Sequence, residues 1–133
     1  MIKVTDSLDI EKWSRFVHDH PHGTIFQSPE MWEVYKEPKN YTPFHFFLQD
    51  DPDKLIAMMQ GVFIQDAGSI LGNLTARSVI QGGPLYESLD NIQDLFKKYN
   101  EFKGKKGVYT QIRNLWDTTP MKNTLQQAGY LYE

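Results

Sequence analysis

The segment that most constrains the fold is KLIAMMQGVFIQ, residues 54–65. Its apolar side chains occupy both alternations of a strand, so neither face is suited to water. Strands of this kind lie in the middle of a sheet that is covered on both faces. The segment therefore predicts an α/β domain in which helices pack on both sides of a central sheet.

Helical and strand patterns alternate along the rest of the chain. Apolar residues recur at helical spacing, after caps such as Asp9 and Ser28-Pro29, in four segments: 9–19, 29–38, 89–103 and 120–128. Alternating or continuous apolar runs bounded by turn residues predict six strands: 1–5, 43–49, 54–65, 69–81, 107–113 and 130–133. The predicted order is β-α-α-β-β-β-α-β-α-β.

Composition narrows the class of protein. The chain has 133 residues, of which 40% are hydrophobic and 14% aromatic, enough for one domain with its own core. It has no cysteine, which excludes disulfides and thiol chemistry. No signal peptide is visible in residues 1–25 and no apolar run could span a bilayer, so we expect a cytoplasmic protein without membrane insertion. The net charge of −3 argues against broad non-specific binding of nucleic acid.

The predicted order resembles that of the acyl-CoA N-acyltransferase (GNAT) fold. The antiparallel meander in the middle and the β-α-β units at the end fit a mixed sheet flanked by helices. We therefore expect residues 1–133 to form a single GNAT-like domain of the α/β class.

Four stretches carry a finer resemblance: GTIFQSPEMWEVYK, LTARSVIQGGPLY, YTQIRNLWD and LQQAGYLYE. Together they resemble the N-terminal half of Fem-type (FemABX-like) proteins, a family of peptidoglycan-bridge aminoacyl transferases. Such proteins resemble two GNAT-like domains in tandem, and they transfer an amino acid from aminoacyl-tRNA to an amine of a peptidoglycan precursor.

The Fem-type resemblance implies that this chain is the N-terminal, acceptor-side half of a longer two-domain transferase. Its partner would be a peptidoglycan precursor or a similar small molecule, and aminoacyl-tRNA would bind only through the missing half. Two alternatives remain open: a stand-alone acyl-CoA N-acetyltransferase, and a non-catalytic substrate-binding or scaffold module.

The run Gln81-Gly82-Gly83-Pro84 interrupts a strand-like segment. GNAT domains that bind acyl-CoA usually carry an Arg/Gln-x-x-Gly-x-Gly/Ala loop that grips pyrophosphate at a helix start. This run lacks that spacing, and proline removes one N–H donor. A kink at the strand end, or a substrate-site wall formed by Gly82, Gly83 and Tyr86, remains open, and no cofactor is expected.

Three basic residues are further candidates for binding a substrate. Arg77 and Arg113, the latter followed by Asn114, lie on strand-like segments that flank the third helix, so we expect both near one cleft. The alternatives are an internal or surface role for Arg77, and pairing with Asp117 for Arg113. The Fem-type resemblance places Lys36 against substrate phosphates, whereas a solvated helix-end lysine is the simpler interpretation.

One remaining cluster does not predict a site. His18, His20 and His22 alternate around a helix end, where cationic side chains suit the helix dipole, and we expect no metal there. No catalytic residue can be assigned from the sequence. The final strand-like residues 130–133 would leave a sheet edge open, so we expect either self-association through this C-terminal edge or disorder from about Tyr130 onward.

Overall fold

The computed structural model describes residues 3–51, 53–65, 77–104 and 109–131. In chain order the elements are β1 (Lys3–Thr5), α1 (Ile10–Asp19), a 3₁₀ turn (Ile25–Gln27), α2 (Pro29–Tyr35), β2 (Tyr41–Asp51), β3 (Lys54–Ile64), β4 (Arg77–Gly82), β5 (Leu85–Tyr86), α3 (Leu89–Lys103), β6 (Tyr109–Asn114), a second 3₁₀ turn (Thr119–Met121) and α4 (Lys122–Gln127).

The described elements follow the predicted order up to the last helix, except that the structure adds the short strand β5 before α3. Residues 66–76 and 105–108 lie outside the description, so the predicted strand starts at 69 and 107 fall outside it too. Tyr130 and Leu131 are not in a strand, although the sequence predicts one there. Tyr130 instead packs against Phe96 at 5.4 Å between ring centroids, and self-association through this region stays a prediction.

The strands form one mixed sheet in the order β1-β2-β3-β4-β6, with β5 paired to β3. Neighbours pair antiparallel from β1 to β4, whereas β4 and β6 run parallel. The sequence-based prediction of a mixed sheet is confirmed. Because β4 and β6 are parallel, both strands end at the same edge of the sheet.

Helices cover both faces of the sheet. Residues 56–64 of β3 are all buried, as the apolar pattern of the segment predicts. The core on one face contains α3, whose Ile92, Leu95 and Tyr99 are almost fully buried. On the other face, Trp13 and Val17 of α1 pack against β2 and β3.

A two-residue bulge separates β4 from β5. Val79 pairs with Val62 and Leu85 pairs with Met58, so six residue steps on one strand face only four on the other. The extra residues are accommodated at Gly82-Gly83, whose φ angles of 82° and 76° are costly for residues with a side chain. The expected strand kink is therefore present.

One buried glutamine ties this bulge to the turn before α2. Gln27 is fully buried, and its Nε2 donates to the carbonyl oxygen of Gly83 at 3.3 Å. Its Oε1 accepts from the Thr24 backbone N–H and hydroxyl, both at 2.7 Å. A Cβ on Gly82 would collide with Gln27 Nε2. The glycine is therefore required by contact as well as by backbone conformation.

His45 lies on the α1 face of β2 among aromatic rings. Its ring centroid is 4.1 Å from that of Trp32 and 4.9 Å from that of Trp13. Nε2 donates to the carbonyl oxygen of Asp6 at 2.8 Å, whereas Nδ1 is buried without a hydrogen-bond partner among the described residues. Burial lowers the pKa of His45 below its ordinary value. The neutral ring is therefore the form that suits the fold.

Acid is expected to destabilise the fold through His45. The unfolded chain binds this proton near pH 6.5, at higher pH than the folded chain does. The contribution of His45 is therefore complete above the unfolded value, and it is lost as the pH falls from that value through the lowered pKa of the folded chain. Urea denaturation at pH values above and below 6.5 measures the free energy of unfolding. This free energy should fall less on acidification in His45→Gln than in the unaltered protein. His18→Gln, which alters an exposed histidine, should keep the full loss. Equal losses in all three proteins would contradict the assignment.

Candidate functional site

A cleft opens where β4 and β6 separate. The two strands pair in parallel from Arg77 opposite Tyr109 to Gly82 opposite Asn114. Beyond that point the chain turns at Gly83 to rejoin β3 as β5, while the chain after β6 leaves the sheet. Ligands of open α/β sheets commonly bind where adjacent strands diverge at their carboxyl ends. This divergence is therefore a candidate binding site.

Three aromatic side chains wall the cleft. Tyr86 of β5 faces Trp116, two residues beyond β6, at 6.0 Å between ring centroids. His22 lies flat on Trp116, with centroids 3.8 Å apart and an interplanar angle of 5°. The loop after α1 thus contributes directly to a cleft formed by the far end of the sheet.

His20 holds this loop in place with both ring nitrogens. Its Nε2 lies 3.0 Å from the carbonyl oxygen of Tyr86, and its Nδ1 accepts the backbone N–H of His22 at 3.1 Å. A neutral ring with its hydrogen on Nε2 satisfies both bonds. His20 therefore anchors the loop after α1 to β5.

Two polar atoms of the cleft have no partner. Asn114 Oδ1 and Trp116 Nε1 are buried and make no hydrogen bond within the described residues. Buried donors and acceptors in folded proteins are normally paired. Asn114 Oδ1 and Trp116 Nε1 are thus an acceptor and a donor, two residues apart, that the described residues leave unsatisfied.

A cavity of about 680 Å³ adjoins the cleft on the side of α1. It lies between α1 and the turn that joins β2 to β3, with Phe16 and Leu55 among its apolar walls. Tyr86, His22 and Trp116 line its inner end, so the cavity and the cleft share these three residues. Its volume is in the range of small-molecule sites.

Four of the residues predicted from the sequence meet at the cleft. Gly82, Gly83 and Asn114 surround the point of divergence, and Tyr86 forms a wall. A Cβ on Gly83 would collide with Asn114 Oδ1, so the glycine allows the segment after β4 to approach the end of β6 closely.

The two arginines lie on adjacent strands but at different ends. Arg77 stands opposite Tyr109, and Arg113 stands opposite Gln81. The register places both arginines on one face, about 13 Å apart along the strands. Arg113 is exposed and donates to Gln111 Oε1 from Nε and Nη2, at 3.2 and 3.0 Å.

Two other sequence-based alternatives concern local contacts. Asp117 accepts the hydroxyl and backbone N–H of Thr119 at 2.7 and 3.0 Å, and these bonds lower the pKa of its carboxyl group. Lys36 follows α2, bonds Glu33 Oε1 at 2.9 Å and lies 5.8 Å from the Trp32 ring centroid. It does not line the cavity.

Sequence reasoning missed the residues that close the cleft. The sequence suggests only a metal tract or helix-end cations for His20 and His22, and no three candidate ligands cluster within the described parts of the chain. Trp116 was not singled out. A usable signal was present: two histidines around Pro21 after a helix, and a tryptophan just beyond the end of a strand.

Comparisons with known proteins give the class of fold. An acetyltransferase from Trypanosoma brucei has a TM-score of 0.67 at 10% identity, covering 100% of this chain and 94% of that one. A putative acetyl transferase from Pyrococcus furiosus has a TM-score of 0.67 at 13% identity, and the match covers 100% of this chain and 95% of that one. A ribosomal-protein-alanine N-acetyltransferase from Brucella melitensis has a TM-score of 0.60 at 6% identity, and the match covers 100% of this chain and 93% of that one.

The chain therefore has a GNAT-like acyltransferase fold, as its element order predicts. No family model and no curated protein matches the sequence. Identities this low show the fold alone, and none of these structures is described as a Fem-type protein. Within the described residues, no helix combines the length and apolar character needed to cross a membrane.

The start of α3 does not fit the pyrophosphate of an acyl-CoA donor. Ser88 Oγ accepts the Asp90 backbone N–H at 3.4 Å, and Asn91 Oδ1 accepts the Ser88 N–H at 3.0 Å. The helix end is thus capped by its own side chains. Glu87 and Asp90 add negative charge there, where a pyrophosphate would need positive charge and free N–H groups.

Proposed function

We propose that this chain is an N-acyltransferase domain that transfers an acyl group to an amine. The donor occupies the cleft between β5 and the residues after β6, and the amine enters from the cavity beside α1. The observation that carries the proposal is the divergence at Gly83 and Asn114, with unpartnered Asn114 Oδ1 and Trp116 Nε1 beside it. The GNAT-like fold supports the reaction class.

The chemistry is attack of a neutral amine on an activated ester or thioester. The new N–C bond forms as the C–O or C–S bond breaks, and the nitrogen gives up a proton. His22 is the proposed base, because it lies where cavity and cleft meet and its ring nitrogens have no hydrogen-bond partner among the described residues. Imidazole suits proton transfer near neutral pH.

Two other side chains assist this reaction without exchanging a proton. Trp116 Nε1–H is an unpartnered donor suited to the carbonyl oxygen, on which negative charge develops. His20 fixes the position of His22 through its backbone N–H. Positioning and charge stabilisation add to the action of the base, and direct transfer needs no covalent intermediate.

A second candidate concerns the donor. The self-capped, acidic start of α3 favours a donor without pyrophosphate at that place, such as an aminoacyl ester. Together with the four Fem-like stretches, this supports the acceptor-side half of an aminoacyl transferase that acts on a cell-wall precursor. The other candidate, called the first candidate below, is an acyl-CoA N-acetyltransferase. It requires that the start of α3 accept phosphate despite the negative charge there.

Acetyl-pantetheine, the acyl-bearing arm of acetyl-CoA without its phosphates, separates the two candidates. We expect it to bind within about threefold of acetyl-CoA, both weaker than about 10 µM in calorimetry, because the phosphates gain nothing at α3. In the double variant Glu87→Gln, Asp90→Asn, acetyl-CoA should bind more tightly while acetyl-pantetheine is unchanged. Binding of acetyl-CoA to the unaltered chain more than about 30-fold tighter than acetyl-pantetheine would favour the first candidate.

Transfer itself is tested with donors of both kinds. Acetyl- and glycyl-pantetheine are incubated with a set of primary amines, and amide products are measured by mass spectrometry. We expect amide formation well above the rate without protein. If no amine yields product faster than that background from either donor, the proposal fails and the non-catalytic alternative stands.

A further inference from the structure

We infer that the cavity beside α1 binds the amine substrate by an anionic group held at Arg15, about 8 Å along the helix axis from the start of the loop that carries His22. This inference rests on the proposed function and names the class of acceptor: a primary amine joined by an apolar segment to a carboxylate or phosphate. The argument depends on the length, lining and unpaired charges of the cavity.

The cavity follows one face of α1. Lys12, Arg15, Phe16 and Asp19 line it at helical spacing, so this wall is about 10 Å long. The outer end is marked by the ion pair between Lys12 Nζ and Asp53 Oδ1, at 3.0 Å. The inner end is marked by the stack of His22 on Trp116.

Charges are uneven along this length. Arg15 and Lys54 line the cavity and have no ion-pair partner among the described residues, whereas Lys12 at the outer end is paired. Arg15 precedes the His20–His22 loop by five residues, a rise of about 8 Å along a helix. A guanidinium group is therefore available for an anion one short alkyl chain away from the proposed base.

The lining between these points is mostly apolar. Phe16 and Leu55 offer ring and hydrocarbon surface to the middle of a ligand. The chemical sequence from Arg15 inward is thus cation, apolar wall, then the imidazole of His22.

The test uses 6-aminohexanoate, whose amine and carboxylate are about 8 Å apart when extended. Calorimetry without donor should show it binding at least about tenfold tighter than hexylamine, which lacks the anion. 6-Aminohexyl phosphate distinguishes phosphate from carboxylate as the preferred anion. β-Alanine, which is too short to reach both ends, should bind as weakly as hexylamine.

Variants locate the anion. Arg15→Gln should abolish the tenfold preference, Arg15→Lys should restore most of it, and Lys39→Gln, which removes an exposed cation elsewhere, should leave it intact. Equal binding of 6-aminohexanoate and hexylamine, or a preference that survives Arg15→Gln, overturns the inference. If the preference is present but no amide forms with either donor, the proposed function fails while the anion site stands.

Discussion

Replacement of His22 by alanine is expected to slow acyl transfer about 100-fold at saturating amine. The variant removes the imidazole at the junction of the cavity and the cleft, so the attacking amine loses its proposed proton acceptor. Single-turnover formation of the amide, followed by mass spectrometry, measures the effect. His18→Ala is the control, because His18 is exposed, bonds Asp19 at 3.1 Å and does not line the cavity.

A second variant separates proton transfer from packing. His22→Phe keeps an aromatic ring against Trp116 but has no nitrogen, so it should be as slow as His22→Ala. If His22 only supports Trp116 by stacking, phenylalanine will restore most of the rate. A rate for His22→Ala above about half that of the unaltered chain would remove His22 from the reaction.

Replacement of Gln27 by alanine is expected to lower the free energy of unfolding by about 3 kcal/mol. The change leaves the Thr24 N–H, the Thr24 hydroxyl and the Gly83 carbonyl without their buried partner, and it creates a cavity. Urea denaturation monitored by circular dichroism measures the loss. Gln93→Ala, at an exposed position of α3, should change stability by less than about 0.5 kcal/mol.

The Gln27 variant also tests how the cleft is supported. Because Gln27 Nε2 holds the carbonyl of Gly83, amide hydrogen exchange should increase at residues 82–86 in Gln27→Ala. Exchange in the distant helix α3 should rise only as much as global stability falls. A loss of stability below about 1 kcal/mol would mean that water replaces the amide, and the bulge would not depend on it.

Local features of the sequence predicted the elements well. α1 begins after Asp9, whose Oδ1 accepts the N–H groups of Glu11 and Lys12 at 2.9 and 3.2 Å. α3 occupies 89–103 as its apolar spacing predicts, and the strand breaks at Gly82-Gly83. Each of these features depends on residues only a few positions apart, so the chain carries the information locally.

Contacts between segments that are distant in the sequence could not be predicted from local patterns. Gln27 makes local bonds to Thr24 within its own turn, but its bond to Gly83 spans 56 residues. The positions of Arg77 and Arg113 depend on the register of β4 against β6, which no local pattern fixes. The stack of His22 on Trp116 requires the fold before it can be seen. The elements were therefore predicted more reliably than the site.

The pairing of β4 with β6 also has a consequence for how the site forms in time. β2 and β3 are joined by a tight turn and pair from Asp51 opposite Lys54, so this hairpin needs little loop closure. Arg77 pairs with Tyr109 across the whole of α3, and such non-local pairings are formed slowly. We expect the hairpin to form early and the walls of the cleft to meet late. The last contacts made in folding would then be the first to open, which would admit ligand without unfolding the rest of the sheet.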